Sequence, residues 1–569
     1  MKGIAIVIVL LFGLAACGGG GGSSGSSTGS APVVTPVVAP AAAFAYAPAT
    51  SVAGQSLQFS DASTGNPTSW SWSFGDGGSS SAQNPTHAYS VAGNYTVSLI
   101  ASNAGGSTTL QRVLSVQAVT TGGASVAFLG NIVLGSPTAN SIKANVFAAN
   151  QSGTVYLRYG KTSGALDQQS GSATLTAASP LELELDGLAA DTRYFYRLYY
   201  QSADGSTSGM TEEYSFHTAR SAGSSFSFTL QGDSHLERAK SEFDATLYTR
   251  TLLTALADQP DFHIAMGDDF SVDTLSPATV TAAQVIERYT IQRPYLGLIG
   301  RSAPVFLVNG NHEQAARYLL DGTANNVAVW AQNARNRHYS QPAPDAFYSG
   351  NPDQVPFVGL LRNYYAWTWG DALFVVIDPY WESPVCVDNP FDGSAKRSNL
   401  WDVTHGDAQY QWLKRTLEQS TAKYKFVFAH HVMGTGRGGI ELASLYEWGG
   451  YNPKGVWGFG TERPGWAAPI HQLMVANKVT IFFQGHDHIW ARQQLDGVIY
   501  QTLPEPADPN YSLFNSDAFL TGDKFPNTGY TRVTVGASKV KIDYVRTWLS
   551  GDEGPGKVSG STVFSYSIP

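Results

Sequence analysis

Five short apolar runs in the second half of the chain are each followed at once by a cluster of Asp, Asn and His side chains. Runs of this length that are rich in Phe, Val and Ile predict buried strands. In open α/β sheets, ligands bind beyond the carboxyl ends of the strands, so the five clusters are expected to meet at one place. The runs, written with their polar ends, are FSFTLQGDSH (226–235), FHIAMGDD (262–269), VFLVNGNHE (305–313), KFVFAHH (425–431) and VTIFFQGHDH (479–488).

The same part of the chain alternates these runs with helix-spaced apolar residues. In the segment 407–419, Tyr410, Leu413 and Leu417 recur at helical spacing. The segment 531–545 returns to the alternation that is typical of a β-hairpin. Strands that alternate with helices predict an α/β domain, which we place at residues 222–569.

The first half of the chain predicts two all-β domains. Between residues 42 and 118, Trp70 and Trp72 alternate with serines, which is the period of a half-buried strand. Between residues 123 and 220, Val155, Leu157 and Tyr159 stand at alternate positions in the same way, and so do Leu181, Leu183 and Leu185. Short alternating strands separated by turn-forming residues favour two small β-sandwiches.

Composition and charge narrow the classes of function. At 569 residues the chain is too long for a single hydrophobic core. Charged residues make up only 14% of it, against roughly 25% in ordinary globular domains, which is typical of extracellular β-rich modules. The formal net charge is −9, so the sequence lacks the basic surface that a nucleic-acid-binding platform requires.

The N-terminus carries a short apolar run at residues 4–14, preceded by Lys2. The run is too short to span a bilayer and is typical of a signal peptide. It ends in Leu-Ala-Ala-Cys with the cysteine at position 17, which resembles the lipobox of bacterial lipoproteins. The resemblance implies that residues 1–16 are removed and that Cys17 carries a lipid. An ordinary cleaved secretory signal stays open as the alternative.

A lipid anchor would make the membrane one partner of the protein. The chain would then be secreted across the inner membrane and held at the outer membrane or cell surface of a bacterium. Residues 17–41 are rich in Gly, Ser and Pro and would form the tether. With Cys17 lipidated, Cys386 is the one cysteine left, so no internal disulfide can form.

Two resemblances identify the β domains. The string WSFGDG at 72–77, followed by THAY at 86–89 and GNYTV at 93–97, resembles a PKD (polycystic kidney disease) domain. That resemblance implies an extracellular spacer or binding module, with contact to a cell surface or a polysaccharide as its expected role. The segment 123–220 resembles the fibronectin type III-like domain that precedes the catalytic domain in purple acid phosphatases.

The five polar clusters carry motifs in a fixed order. Asp-x-His, Gly-Asp, Gly-Asn-His-Glu, His and Gly-His-x-His follow one another, each behind an apolar run. This order resembles the calcineurin-like metallophosphoesterase family, whose fold is an αββα sandwich. Carboxylate and imidazole ligands suit Fe, Mn or Zn, and the resemblance implies two such ions. It assigns Asp233, His235 and His488 to one ion, Asn311, His430 and His486 to the other, and Asp268 to the bridge between them.

The resemblance also implies the reaction. Two ions held about 3.5–4 Å apart bind a bridging hydroxide, which attacks the phosphorus in line with the leaving group. Asp268 would hold the pair, and His312 would protonate the leaving oxygen or stabilise the transition state, so these two are the catalytic candidates. His431 stays open as the alternative to His430. Glu313 either orients His312 or begins a helix.

These observations predict a metal-dependent phosphoester hydrolase outside the cytoplasm, in first place a phosphatase. A phosphodiesterase of the same family stays open, because both reactions use the same ligands. From a different class, a cell-surface binding or adhesion protein with a vestigial phosphoesterase domain also stays open. Ser271 stands where purple acid phosphatases have their iron-binding tyrosine, so no purple centre is expected. The interval 313–365 is expected to shape the rim of the substrate pocket.

Overall fold

A computed structural model describes residues 37–47, 51–52, 56–89, 93–117, 124–125, 127–239, 241–391, 393, 395 and 397–569. The predicted signal peptide, the predicted lipidation site Cys17 and most of the predicted tether lie outside the described residues. Across the described ranges, no helix is both long enough and apolar enough to cross a bilayer.

The first β region forms two sheets around an aromatic core. Its described strands are β1 (Phe44–Ala47), β2 (Ser51–Val52), β3 (Ser56–Asp61), β4 (Ser69–Ser73), β5 (Ser79–Ser80), β6 (Thr86–Ala88), β7 (Gly93–Asn103) and β8 (Gly106–Gln117). One sheet has the order β1-β3-β6 and the other the order β2-β8-β7-β4-β5. Phe59 of β3 packs on Trp72 of β4 with ring centroids 5.7 Å apart, so the alternating tryptophan pattern does mark a core strand.

The second β region also forms two sheets. Its described strands are β9 (Ala124–Ser125), β10 (Asn131–Gly135), β11 (Ile142–Phe147), β12 (Gly153–Gly160), β13 (Gln168–Gln169), β14 (Ala173–Leu175), β15 (Leu181–Leu185), β16 (Arg193–Ser202), β17 (Thr207–Met210) and β18 (Tyr214–His217). The smaller sheet has the order β10-β11-β15. The larger has the order β13-β12-β16-β17-β9, with β14 also paired to β12 and β18 to β16. Its kinship with fibronectin type III domains stays a prediction.

The remainder of the chain alternates strands and helices, as the pattern predicts. The strands are β19 (Phe226–Gln231), β20 (Phe262–Ala265), β21 (Val305–Leu307), β22 (Ser349–Gly350), β23 (Gln354–Val355), β24 (Gly359–Leu360), β25 (Tyr365–Trp369), β26 (Ala372–Val376), β27 (Tyr424–Phe428), β28 (Ile481–Gln484), β29 (Trp490–Leu495), β30 (Val498–Thr502), β31 (Asp523–Phe525), β32 (Gly529–Val535), β33 (Val540–Arg546) and β34 (Ser561–Ile568). The helices are α1 (Ala245–Ala257), α2 (Ala282–Ile291), α3 (Arg293–Gly300), α4 (Val327–His338), α5 (Asp407–Gln419), α6 (Tyr446–Gly449), α7 (Phe459–Glu462) and α8 (Ile470–Ala476).

Two large sheets pack face to face in this α/β region. One has the order β21-β20-β19-β32-β33-β34 and the other the order β22-β25-β26-β27-β28-β30-β29-β31. Phe228 of β19 meets Phe374 of β26 edge-on with ring centroids 5.1 Å apart, and both lie in the core between the sheets. Helices α1 to α4 cover the outer face of the first sheet, and α5 to α8 cover that of the second. This is the predicted αββα sandwich.

Parallel pairing brings the polar clusters to one edge. Strands β19, β20 and β21 are parallel neighbours, and so are β26, β27 and β28. Parallel strands end at the same edge of a sheet, and the two sheets are stacked with these edges side by side. The residues that follow β19, β20, β21, β27 and β28 therefore meet.

The second β region is fixed to the α/β region by buried polar contacts. Arg293, at the start of α3, donates to Asn131 Oδ1 at 2.7 Å and to the carbonyl of Asn145 at 2.8 Å. The hydroxyl of Ser136 donates to the carbonyl of Ser340 at 2.8 Å. A buried donor that loses its partner costs about 1–3 kcal/mol, so these contacts resist separation of the two regions.

Candidate metal centre

The structure brings all seven predicted ligands together at the edge where the five strands end. Each of them is at most 5% exposed, so the cluster is almost closed off from bulk water, and a cavity opens onto it. Polar side chains this deeply buried need partners, because an unpaired buried charge is strongly unfavourable. The seven are Asp233, His235, Asp268, Asn311, His430, His486 and His488.

Asp233, His235 and His488 form one half of the centre. Oδ2 of Asp233 lies 3.8 Å from His235 Nε2 and 3.2 Å from His488 Nε2. The two imidazole nitrogens are 3.2 Å from each other. Three ligand atoms of the types that bind transition metals thus face one small space.

Asp268, His430 and His486 form the other half. Asp268 Oδ2 lies 2.9 Å from His430 Nε2, which in turn lies 3.2 Å from His486 Nδ1. Asp233 Oδ2 is 4.0 Å from His430 Nε2, so this carboxylate faces both halves. Asn311 lines the same cavity, and its buried Oδ1 has no hydrogen-bond partner among the described residues. An orphaned acceptor at this position fits a bound cation.

The outer ring nitrogen of each histidine faces an acceptor. The pairs are His235 Nδ1 with Glu237 Oε1 at 2.9 Å, His430 Nδ1 with the Met266 carbonyl at 2.8 Å, His486 Nε2 with the Gly436 carbonyl at 3.0 Å, and His488 Nδ1 with Glu505 Oε2 at 3.3 Å. A neutral imidazole that carries its proton on the outer nitrogen has its lone pair on the inner one. Metal-binding histidines are typically held in this way. The residues therefore fit metal ions in both halves.

The charges of the centre also favour a cation. Burial alone would raise the pKa of Asp233 and Asp268, yet the neighbouring imidazoles hold the pKa of each carboxyl below its ordinary value. Burial would lower the pKa of His430, but the two carboxylates raise it to about 10. Burial lowers the pKa of His235. The two buried carboxylates beside His430 thus favour a positive charge in the space between them, which a bound cation supplies.

Four of the seven ligands have a left-handed backbone. The φ angles are 45° for His235, 58° for Asp268, 69° for His486 and 56° for His488. A non-glycine residue in this region costs of order 1–3 kcal/mol, and such residues cluster at functional sites. The surrounding fold therefore holds these side chains in the facing arrangement at the expense of local backbone strain.

Two motif glycines are needed because ligand carboxylates pass very close to them. A Cβ atom at Gly310 would lie 2.2 Å from Asp268 Oδ1, and one at Gly485 would lie 2.6 Å from Asp233 Oδ1. Real Cβ atoms do not approach other atoms so closely, so any other residue would displace a carboxylate. Each of these motif glycines thus leaves room for a carboxylate that follows a different strand.

Glu313 connects two of the ligand-bearing loops. Its Oε1 accepts hydrogen bonds from the backbone N–H groups of Asp269 and Phe270 at 2.9 and 3.0 Å. Its Oε2 accepts from those of Asp268 and Gly310 at 3.1 and 2.5 Å. This carboxylate therefore pins the loop after β20 to the loop after β21. Neither role expected for Glu313 describes it, since it binds backbone N–H groups rather than the His312 ring, and no helix begins there.

We expect Glu313→Gln to destabilise the α/β region by about 2–4 kcal/mol. In the variant, the side-chain NH₂ would face two backbone N–H groups that donate to the carboxylate in the wild-type protein. Those buried donors would then have no acceptor. Calorimetry would report this as a lower Tm for the transition of that region. Glu287→Gln, at an exposed position of α2, is the matched control and should change stability by no more than about 0.5 kcal/mol. Equal Tm values for the two variants would contradict the role given to Glu313.

His312 lies beside the centre and borders the cavity above it. Its Nδ1 is 2.8 Å from Asp273 Oδ2, and its Nε2 is 2.8 Å from the side-chain amide of Asn389 and 3.7 Å from Asp268 Oδ2. Burial would lower the pKa of His312, but Asp268 and Asp273 raise it to about 9. The two carboxylates therefore favour the protonated form of this imidazole, and its place beside the cavity is that of a general acid.

A cavity of about 350 Å³ opens over the centre. Arg238 and Arg437 stand on its walls, and Arg238 Nη2 lies 3.4 Å from His312 Nε2. Two guanidinium groups and His312 face the cavity beside the carboxylates of Asp268 and Asp388, so the cavity offers several hydrogen-bond donors to an anion. The cavity therefore suits a phosphoryl group above the metal-binding side chains.

His431 is directed away from both halves of the centre. Its Nδ1 lies 3.1 Å from the carbonyl of Thr435 and its Nε2 lies 2.9 Å from that of Gly438. His430, in contrast, contacts Asp268 directly. The geometry therefore favours His430 as the ligand of the pair.

The interval 313–365 does not form the rim that the sequence led us to expect. Arg335 in α4 is 1% exposed and donates to the carbonyl of Leu307 at 2.7 Å. Tyr339 and Tyr348 are buried as well. None of the described residues that line the cavity belongs to this interval, because α4 packs into the core beside the first sheet.

Sequence reasoning missed several polar residues that contact the predicted ligands or His312, among them Glu237, Arg238, Asp273, Asn389 and Glu505. Glu237 and Asp273 follow a predicted ligand by a few residues, so proximity in sequence was a usable signal. Asn389 and Glu505 stand in loops without a motif, far along the chain from the groups they contact. Their positions depend on how those loops fold back over the edge of the sheets.

Comparison with known proteins assigns two segments. A family model described as calcineurin-like phosphoesterase matches residues 226–490, and one described as PKD domain matches residues 33–118. Both assignments were predicted from the motifs. No curated protein matches the chain significantly.

Two solved structures show similarity over most of the chain, and a third over a small part of it. The structure of PhoD has 15% identity over 77% of this chain and 89% of its own, with a TM-score of 0.51. Purple acid phosphatase PPD1 from yellow lupin (Lupinus luteus) seeds has 15% identity over 93% of this chain and 96% of its own, with a TM-score of 0.49. The PKD1 domain of the Vibrio cholerae metalloprotease PrtV has 33% identity over 14% of this chain and 99% of its own, with a TM-score of 0.13. At 15% identity, the likeness to PhoD establishes a shared fold.

Proposed function

We propose that this protein is a phosphatase that uses two metal ions and acts outside the cytoplasm. The proposal starts from its domains: the chain carries a calcineurin-like phosphoesterase domain behind a PKD domain, and it is therefore a metal-dependent phosphoester hydrolase. The observation that carries the proposal is the arrangement of two histidine pairs. In each pair the inner ring nitrogens lie 3.2 Å apart, and buried carboxylates stand beside them. Two such groups side by side are the donor set of a dinuclear site.

The ligand assignment is part of this proposal. Asp233, His235 and His488 would hold one ion and Asn311, His430 and His486 the other, with Asp268 between them. When bound, the ions supply an activated water nucleophile and neutralise the charge that develops on the phosphoryl oxygens. Iron, manganese and zinc all suit this mixture of carboxylate and imidazole donors.

The side chains around the cavity orient the ester. Arg238 and Arg437 are placed to bind its non-bridging oxygens, because guanidinium groups match phosphate geometry. His312 is placed to give a proton to the leaving oxygen, and Asp273 holds the opposite nitrogen of the ring at 2.8 Å. Asp268 accepts a hydrogen bond from the backbone N–H of His312 at 2.8 Å, which couples the proton donor to the metal-binding side chains.

A monoester fits this cavity better than a diester. A monoester dianion carries one more negative charge than a diester, and the cavity offers two guanidinium groups and an imidazole whose protonated form is favoured. The intact set of facing ligand atoms also speaks against a vestigial domain, since a decayed site would have lost a donor.

The proposed location follows from the N-terminus. We propose that Cys17 is lipidated and that the enzyme is held at the outer membrane or cell surface, with the PKD domain contacting surface polysaccharide. The apolar run 4–14 and the Leu-Ala-Ala-Cys string support this. Replacing Cys17 by Ser should release the protein from the membrane fraction, and retention of that variant in the fraction would contradict the anchor.

The first experiment compares initial rates on p-nitrophenyl phosphate and its bis-ester. The purified full-length protein, loaded with Mn or Zn, should hydrolyse the monoester faster and should lose the activity after treatment with a chelator. Faster hydrolysis of the bis-ester would make the enzyme a phosphodiesterase. Activity that survives complete metal removal would refute the metal-dependent mechanism.

A further inference from the structure

A loop beside the metal centre exposes three large apolar side chains. This mouth loop comprises residues 508–522, between β30 and β31. Its Leu513, Phe514 and Leu520 are 45%, 53% and 80% exposed. Single exposed apolar residues are ordinary on a protein surface, but three within eight residues of one loop are not scattered, and grouped apolar side chains mark binding surfaces.

The mouth loop is fixed beside both arginines of the cavity. Near its start, the side-chain amide of Asn510 donates to the carbonyl of Ser241, which stands three residues after one of these arginines. Near its end, the carbonyl oxygen of Ala518 lies so close to Gly438 that a Cβ atom there would be 2.8 Å from it. Gly438 directly follows the other arginine. The loop therefore runs along the mouth of the cavity from one arginine to the other.

Between these attachments the mouth loop passes over His488. The ring of Phe514 lies 6.2 Å from the imidazole of His488, measured between ring centroids. The side-chain amide of Asn515 donates to the carbonyl of Asp487 at 3.3 Å. His488 borders the cavity, and Phe514 stands just outside the residues that line it. Phe514 is therefore at the mouth, with about half of its surface in water.

A different aromatic residue holds the mouth loop in place. Phe519 is 2% exposed and packs with Ile489 and Ala491, which follow His488 in the chain. Lys524 Nζ also donates to the carbonyl of Phe519 at 2.8 Å. Phe519 thus fixes the loop against the edge of the sheets, and the exposed Phe514 is not needed for that purpose.

We propose that Phe514, with Leu513 beside it, binds the leaving group of the ester, and that the substrate is a phosphate monoester of an apolar alcohol. The leaving group would be an alkyl or aryl group. This rests on the proposed function, because the phosphoryl group must occupy the cavity for the rest of the ester to extend to its mouth. Phe514 is then a specificity-determining residue and takes no part in the chemical step.

The physical reason is the removal of apolar surface from water on both partners. Full burial of one methylene group is worth about fourfold in affinity, and a chain that lies on Phe514 keeps one side in water, so about twofold per methylene is expected. A sugar or another polyol would give up hydrogen bonds to water at this place. The side chains of Leu513, Phe514 and Leu520 offer it no donor or acceptor in return.

The test compares ethyl, butyl and hexyl phosphate as substrates of the full-length protein loaded with Mn. The three alcohols are about equally acidic, so a difference in kcat/KM reports contact with the chain rather than bond cleavage. We expect kcat/KM to rise about 10- to 20-fold from ethyl to hexyl phosphate, mainly through a lower KM. Equal values for the three esters would overturn the inference.

Phe514→Ala connects the preference to the mouth loop. It should lower kcat/KM for hexyl phosphate about 5- to 10-fold and leave that for ethyl phosphate within about twofold of the wild-type value. Phe357→Ala is the matched control, because Phe357 is 57% exposed and belongs to the interval that does not line the cavity. It should leave both esters unchanged. Equal losses for the two variants, or an equal loss for Phe514→Ala on both esters, would overturn the inference.

Alkylphosphonates give a second reading that needs no turnover, because their carbon–phosphorus bond is not hydrolysed. As a competitive inhibitor, hexylphosphonate should bind about tenfold more tightly than ethylphosphonate, and Phe514→Ala should remove most of the difference. A difference that Phe514→Ala leaves in place would contradict the role given to this residue.

The remaining outcomes separate this inference from the proposed function. No hydrolysis of any monoester, p-nitrophenyl phosphate included, would sink the proposed function and this inference with it. Hydrolysis of p-nitrophenyl phosphate without any preference among the alkyl phosphates would sink this inference alone. A loss for Phe514→Ala that is larger on adenosine 5′-phosphate than on hexyl phosphate would overturn it as well, because the ring would then stack on a base.

Discussion

Replacing Asp268 by Asn is expected to lower kcat/KM at least about 10³-fold, which corresponds to about 4 kcal/mol of lost transition-state stabilisation. Asn has the shape of Asp, and its Oδ1 would still accept the backbone N–H of His312, which is 2.8 Å from the carboxylate now. The substitution removes the charge beside His430 Nε2, at 2.9 Å. The proposed bridging ligand would lose its affinity for cations while the fold is kept, so bound metal should fall along with the rate.

The neighbouring Asp269 provides a matched control. Its Oδ1 accepts from Gln231 Nε2 at 3.0 Å, and burial together with Glu313 raises its pKa well above the ordinary value. Burial and Glu313 therefore disfavour a charge on Asp269, so Asn at this position changes the electrostatics less than Asn at position 268 does. Asp269→Asn should stay within about tenfold of the wild-type rate. A variant of Asp269 that loses as much activity as the variant of Asp268 would show that the effect is one of folding.

His312→Ala is expected to lower kcat about 10²–10⁴-fold on an alkyl phosphate while metal content stays unchanged. The imidazole borders the cavity, and Asp268 and Asp273 raise its pKa to about 9, which favours its protonated form. An alkoxide is a poor leaving group and needs that proton, whereas p-nitrophenolate leaves without it. The loss on p-nitrophenyl phosphate should therefore be clearly smaller than the loss on glycerol phosphate.

The comparison of the two esters separates proton donation from binding. Equal losses on both substrates would mean that His312 binds the phosphoryl group and does not protonate the leaving oxygen. Asp273→Asn gives an intermediate case, because the ring keeps its place but loses the carboxylate 2.8 Å from Nδ1. This variant should lower kcat on both esters, with the larger loss on the alkyl ester as for His312→Ala, but by a smaller factor.

Two features of the fold, the backbone conformation of the predicted ligands and the acceptors behind their imidazoles, hold this centre in place. Left-handed backbone at His235, Asp268, His486 and His488 sets where the ligands stand, and acceptors behind the imidazoles set how the rings turn. Both are present in the fold itself. Metal binding would thus require little rearrangement, which is the condition for a precisely shaped reaction site.

The sequence alone determined the fold of the second half and the meeting of the polar clusters. A buried parallel strand needs a continuous apolar run, and its carboxyl end is where the chain leaves the sheet, so ligand positions such as Asp233 and Asp268 could be read from the runs before them. The PKD domain was identified from the resemblance of the strings WSFGDG, THAY and GNYTV to that family, and the family model confirms it. These features depend on interactions between residues close together in the chain.

Only the tertiary structure decided what surrounds those ligands. His430 and His431 are adjacent and chemically identical, and the choice between them depends on which ring faces Asp268. Glu505 reaches His488 because the loop after β30 folds back over the edge of the sheets, and Asn389 reaches His312 from the loop after β26. Such contacts join segments far apart in sequence, through irregular backbone that no periodic pattern encodes. The strands could therefore be predicted from short-range regularity, whereas the groups that tune the metal ligands were fixed by long-range packing.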